Sequence, residues 1–233
     1  MLNERCSFER EIRDLYLERE APSDEELLSG EHWKTTADEK WSNSIKIDDL
    51  ESTFKEKVRK FKKMLEDNKV TIHIASTKRP PERAYLMHYS NEIRKGNVSP
   101  SDVPSKDGVN IKWDHGDLTK SKNAADELRK AFGVGTHAAL TSRHTEGKAI
   151  DMKLDFSENE NEEEKHVLKY TLEEGGEITR EILWDANEAR YGEKAKNKSI
   201  TNIEDRELSK AGADFGLYRK IDSDVVHWSS DGK

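Results

Sequence analysis

The chain of 233 residues carries 48 acidic against 40 basic side chains, a net charge of −8, and only 33% hydrophobic residues against 38% charged ones. With no basic stripe interleaved with aromatics, that balance excludes electrostatic nucleic-acid binding and argues against simple adhesion to an anionic wall or membrane. The length suits one substantial domain, or one with a helical appendage, and the single Cys6 cannot close an intramolecular disulfide.

The first residues alternate charged and apolar side chains and show no export leader, and nowhere do about 18 apolar residues run together, so no membrane span is expected. Phe8, Ile12, Leu15 and Tyr16 share one helical face and predict a short helix that stops before Pro22. Ser23-Asp-Glu-Glu is a cap for a second helix. The following stretch to about Asn43 is polar with two tryptophans, Trp33 and Trp41, whose large apolar area suits packing of this arm onto the main domain.

Asp48 or Asp49 is the expected cap of a long helix in which Leu50, Phe54, Val58, Phe61 and Leu65 recur at helical steps. Val70 to Ala75 alternates β-branched residues and predicts a strand. Arg79 follows it in a turn closed by Pro80-Pro81, before a helix with Tyr85, Leu86, Tyr89 and Ile93 on its apolar face. Asn97 to Gly116 reads as loop, and Ser121 to Phe132 as helix.

Lys148 to Phe156 alternates as a strand with Ile150, Met152, Leu154 and Phe156 on the core face, which turns Asp151 toward a cleft. Ser157 to Glu164 is an acidic loop without the spacing or glycine turn of a calcium site. Glu177 to Tyr191 and Ile203 to Lys210 read as helices, and Phe215 to Tyr218 and Val225 to Trp228 as the last strands.

Chemistry concentrates in Ser142-Arg-His144-Thr-Glu-Gly147-Lys-Ala149-Ile-Asp151 and in Asp224-Val-Val-His227-Trp228. A catalytic zinc takes three protein ligands and leaves a fourth position for water. His144, Asp151 and His227 fill the ligand roles, and Asp224 is the candidate base, with Asp222 the weaker substitute. Gly147 lets the loop fold back so that the ligands converge. The Ser142 hydroxyl suits orientation of backbone or substrate, since no Ser-His-Asp set accompanies it. Trp228 is expected as a wall behind His227, while His115 and His137 read as structural.

These residues resemble the zinc peptidases of the LAS group, which includes D-alanyl-D-alanine carboxypeptidases and dipeptidases, L-alanyl-D-glutamate endolysins and the related hedgehog-type fold. The pattern Ser-x-His-x-x-Gly-x-Ala-x-Asp is met by Ser142, His144, Gly147, Ala149 and Asp151, and Asp224 to Trp228 is similar to the family's final element. Ser76-Thr-Lys-Arg79 is similar to its arginine segment, with Lys78 where an aromatic is common. The resemblance spans about Val70 to Ser229. It departs from the pattern in the length inserted between Phe156 and Leu217 and in Asp rather than the commoner Glu at position 224.

The resemblance implies an α+β, DD-peptidase-like fold: a small, mainly antiparallel sheet with helices on its opposite face. Residues 48–233 would form the zinc peptidase domain and 1–47 an N-terminal helical extension. It implies Zn2+ as cofactor and hydrolysis of peptidoglycan stem peptides as a carboxypeptidase or endopeptidase. Arg79 would bind a substrate carboxylate or oxyanion, and Ser142 substrate. Synthesis in the cytoplasm without a visible leader favours a phage lysin or an injected effector acting in the periplasm or cell wall after delivery or lysis, with delivery machinery or an immunity partner as partners, and leaves a cytoplasmic dipeptidase as the other course. The other class of reading is a non-catalytic, zinc-stabilised binding domain of the same fold.

Overall fold

The computed structural model describes residues 23–135, 138–156, 165–173, 175–183, 206–221 and 224–233. The helix expected at Phe8 to Tyr16, the acidic loop, His137, Asp222, and residues 184–191 and 203–205 of the two helices expected beyond Glu177 lie outside them. The described chain is α+β, with six α-helices and two small antiparallel sheets. No described helix is long and apolar enough to cross a membrane.

The N-terminal elements are α1 (Asp24–Leu27) and α2 (His32–Lys40). Ser23 caps α1 as expected: its hydroxyl accepts from the Glu26 amide while the Glu26 carboxylate accepts from the Ser23 amide. Helix α2 is not predicted by the pattern of this polar stretch. It buries only Trp33 and Ala37, four residues apart, so its apolar stripe is too narrow to show as a pattern.

Helix α3 (Ser52–Asp67) buries Phe54, Val58, Phe61, Met64 and Leu65 along one face. Its cap is Glu51 rather than Asp48 or Asp49: the Glu51 carboxylate accepts from the Thr53 and Phe54 amides at 3.1 and 3.0 Å. The two aspartates instead belong to a 3-10 turn, Ile47–Asp49, just upstream. Two amides held on one carboxylate draw the Glu51 pKa down to about 2.

Strand β1 (Thr71–Ser76) leads through Pro80 into α4 (Pro81–Lys95), which packs on α5 (Leu118–Ala131). With α2 these helices enclose a core of Trp33, Tyr85, Leu86, Tyr89, Ile93 and Trp113, so the tryptophan arm packs against the helical layer. The buried Trp113 indole donates to the Tyr85 hydroxyl, which donates to the Pro104 carbonyl. His115 meets the Ser29 hydroxyl at 3.0 Å, a structural tie between arm and loop.

The three-stranded sheet has the order β1, β2 (Ala149–Asp155), β5 (His227–Ser229), antiparallel throughout. Its core face presents Ile150, Met152, Leu154 and Trp228 to Phe54, Phe61 and Leu65 of α3. Burying each such side chain contributes about 1.5–3 kcal/mol. Phe215 to Tyr218 is no strand of its own; Tyr218 alone bridges to Ser229.

A further correction concerns Glu177 to Tyr191, whose described part is strand β4 (Glu177–Leu183), not helix. It pairs with β3 (Lys165–Thr171) in a hairpin whose buried Leu168, Tyr170 and Ile182 join the main core. Arg180 secures it to α6 (Glu207–Asp214), donating to Asp214, to Glu207 and to the Tyr170 hydroxyl.

Candidate metal centre

Asp151 lies on β2 with its side chain on the face opposite Ile150 and Met152, as the alternation predicts. Its Cα partner on β5 is His227. A bulge on β1, between Ile74 and Ser76, brings Ser76 opposite the same aspartate. Bulges re-aim strands beside functional sites, and this one ends the regular β1 ladder where the chain turns toward Arg79.

His144 arrives from the turn that precedes β2. The Glu146, Gly147 and Lys148 amides donate to the Ser142, His144 and Arg143 carbonyls, closing the chain on itself. Gly147 has φ +69°, and a Cβ there would sit 3.0 Å from the Glu51 amide nitrogen. Both constraints demand glycine. The Ser142 hydroxyl serves the turn, accepting from the Thr145 amide at 3.4 Å.

Three donor atoms converge: His144 Nε2, Asp151 Oδ1 and His227 Nδ1 form a triangle with every edge 3.2 Å. Edges of this length would let a zinc ion at its usual bond length of about 2.0–2.1 Å reach all three atoms at once. The opposite nitrogen of each ring faces a backbone oxygen, His144 Nδ1 that of Thr77 at 2.8 Å and His227 Nε2 that of Lys233 at 3.2 Å. Donating there fixes both tautomers and leaves three lone pairs facing one another with no proton to share, an arrangement that a cation relieves. This buried group can hold a metal ion, and among the described residues no fourth His, Cys, Asp or Glu joins it.

The electrostatics follow from the crowding. Burial opposes ionisation of Asp151, but whenever His144 or His227 gains a second proton its hydrogen bond and charge prevail, and these hold the Asp151 pKa below the ordinary range. Burial lowers the affinity of His227 for a proton, yet Asp151 beside it carries the balance upward. Asp224 shifts upward, from burial first and then from the negative charge of Asp151, with the two histidines pulling the other way. Its carboxylate feels all three ligands without being a member of the trio. The Asp224 carbonyl accepts from the His227 amide at 3.1 Å, which fixes their spacing.

Arg79 is largely buried, its amide donating to the His144 carbonyl at 3.1 Å. Its guanidinium Nε is buried without a hydrogen-bond partner, and burial, with Arg83 nearby, lowers its pKa against the pull of Asp151. Trp228 is not a wall beside the His227 ring. As the next residue on the strand it faces the core, 5.2 Å from Phe61 and under the Arg219 guanidinium, and anchors β5 from behind.

The sequence does not reveal the backbone oxygens of Thr77 and Lys233, because a backbone acceptor leaves no trace in residue type. Nor does it reveal the fork from Arg143 to Asp231, which joins the His144 turn to the segment after β5. No family model, characterised protein or solved structure matches this chain.

Proposed function

We propose that the chain is a zinc-dependent peptidase acting on peptidoglycan stem peptides, as the resemblance to the LAS group suggests. The observation that carries the reading is the three-donor centre with no fourth protein ligand among the described residues. Structural zinc sites are closed by four protein ligands, whereas catalytic ones keep a position open. Two neutral imidazoles and one carboxylate are a donor set that zinc accepts well.

Zinc, when bound, supplies a Lewis acid that acidifies water and polarises a carbonyl. The protein's own part is distributed over few residues. Asp224, partly buried and raised in pKa, takes a proton from the attacking water and returns it to the leaving amine. Arg79 offers its unpartnered Nε–H to the oxygen that gains negative charge, or to a free terminal carboxylate. The backbone oxygens of Thr77 and Lys233 keep both imidazoles oriented throughout.

The test is incubation of the zinc-loaded chain and its Asp224→Asn variant with purified peptidoglycan and short stem peptides, with released fragments identified by mass. Fragments from the parent that vanish in the variant, at equal zinc content, support the peptidase and identify the bond cut. Intact substrates throughout, with stoichiometric zinc, favour the binding module.

A further inference from the structure

Three buried side-chain atoms without a hydrogen-bond partner, Asn43 Oδ1, Ser76 Oγ and Arg79 Nε, belong to two adjoining segments beside the metal centre. The Ser44 amide donates to the Lys78 carbonyl at 2.9 Å, and the Thr77 amide donates to the Ser44 carbonyl at 2.7 Å. Thr77 Oγ1 also reaches the Lys46 carbonyl at 3.1 Å. Residues 44–46 are thus a strap stitched to the chain that holds His144 through the Thr77 carbonyl. With its amide toward residue 78 and its carbonyl toward residue 77, Ser44 runs antiparallel to that chain, so Asn43 lies at the Lys78–Arg79 end.

Buried polar atoms are nearly always paired, and leaving one unmade costs more than an average hydrogen bond returns. Three such atoms on two segments stitched together by backbone hydrogen bonds are explained together if a ligand pairs them. Their chemistry is complementary to a peptide unit. Arg79 Nε offers a donor for a carbonyl or carboxylate, Asn43 Oδ1 an acceptor for an N–H, and Ser76 Oγ either. Ile45, the next residue but one after Asn43, is 60% exposed and provides apolar area for a small side chain on the same strap.

We propose that Asn43 is a specificity-determining residue, accepting a hydrogen bond from a substrate peptide N–H while Arg79 holds the neighbouring carbonyl or carboxylate. The strap then forms one wall of the substrate cleft. This rests on the peptidase reading for the substrate class, and it assigns a binding role to a segment the resemblance does not cover.

The experiment uses the full zinc-loaded chain with Asp224→Asn to block turnover, and two probes, N-acetyl-D-alanyl-D-alanine and its C-terminal amide. Adding Asn43→Ala should weaken binding of both probes about two- to tenfold, the equivalent of one neutral hydrogen bond. Arg79→Gln should weaken the acid far more than the amide. In the chain that retains Asn43, its side-chain NH2 resonances should shift on titration, a readout that needs no substitution at that position. Unchanged affinity in the Asn43→Ala protein, or stationary Asn43 resonances at saturation, overturns the proposal. Hydrolysis of stem peptides by the parent without dependence on Asn43 sinks this inference alone. Asn43-dependent binding without hydrolysis by the parent sinks the peptidase reading alone, and neither binding nor hydrolysis sinks both.

Discussion

Asp151 and His227 are direct partners across β2 and β5, and their donor atoms Oδ1 and Nδ1 stand 3.2 Å apart. Two of the three candidate ligands are therefore set by sheet register, which a one-residue slip of either strand would destroy by turning that strand's ligand to the core face. Only His144 depends on loop geometry.

One zinc per chain is the first expectation, read by titration against a chromophoric chelator. Because losing an outer hydrogen-bond partner alone costs about 10–100-fold in affinity, replacing His144, Asp151 or His227 with alanine should cost more than that. Binding requires both imidazoles deprotonated, so zinc affinity should rise with pH through the histidine range and then level off. A His144→Ala protein that binds zinc as tightly as the parent would exclude the centre described.

Two glycines give a graded test of how the scaffold holds the ligands. Gly147→Ala forces a side chain into φ +69°, a conformation costing about 1–2 kcal/mol, and sets its Cβ 3.0 Å from the Glu51 amide nitrogen. Gly212→Ala, on α6, drives a Cβ into the Trp228 ring and to 3.0 Å from the Leu217 carbonyl oxygen. Such overpacking costs about 1–3 kcal/mol. Both should lower the melting temperature of the metal-free chain. Each should also weaken zinc, the first through His144 and the second through β5 and His227. Stability lost with zinc affinity intact would mean that the ligands are held independently of these contacts.

Asp224 should behave oppositely in stability and in turnover. Its folded pKa is raised by burial and by Asp151, so the fold favours its neutral form and pays a penalty once it ionises. That penalty is absent below the unfolded pKa of about 3.9 and complete above the folded value. Asp224→Asn should therefore melt higher than the metal-free parent at pH 7, with the advantage fading as pH falls toward 4, while hydrolysis is lost. A variant that melts lower at pH 7 would place Asp224 in a structural role.

How much of this was legible depended on whether a residue's task shows in its spacing. The trio was legible because His144, Gly147 and Asp151 combine a positive-φ turn with a strand whose core face alternates visibly. Helix α3 was legible for the same reason, through the steps from Phe54 to Leu65. The hairpin was not. Its inward residues Leu168, Tyr170 and Ile182 are set off by Lys169 and Glu181, but Arg180 occupies an inward position through its ion pairs with Asp214 and Glu207 and interrupts the apolar pattern. The strap at Asn43 carried no signal, since its place is set by backbone hydrogen bonds to Thr77 and Lys78.

The fork between Arg143 and Asp231 yields the last expectation. Arg143 precedes His144 and Asp231 follows β5, and Nε and Nη2 of one meet both oxygens of the other, at 2.5 Å for the shortest contact. Hydrogen bonds from Arg143 hold the Asp231 pKa down to about 2. A depressed folded pKa means the fork contributes stability above the unfolded value of about 3.9 and loses it as pH falls through about 2. Asp231→Asn should then melt lower than the metal-free parent by a constant margin from pH 5 to 7. The margin should close between pH 4 and 2. Because the fork spans the two histidine-bearing segments, the same variant should release zinc more readily at neutral pH. A margin that persists at pH 2 would show that the asparagine disturbs packing rather than an ion pair, and unchanged zinc release would detach the fork from the metal centre.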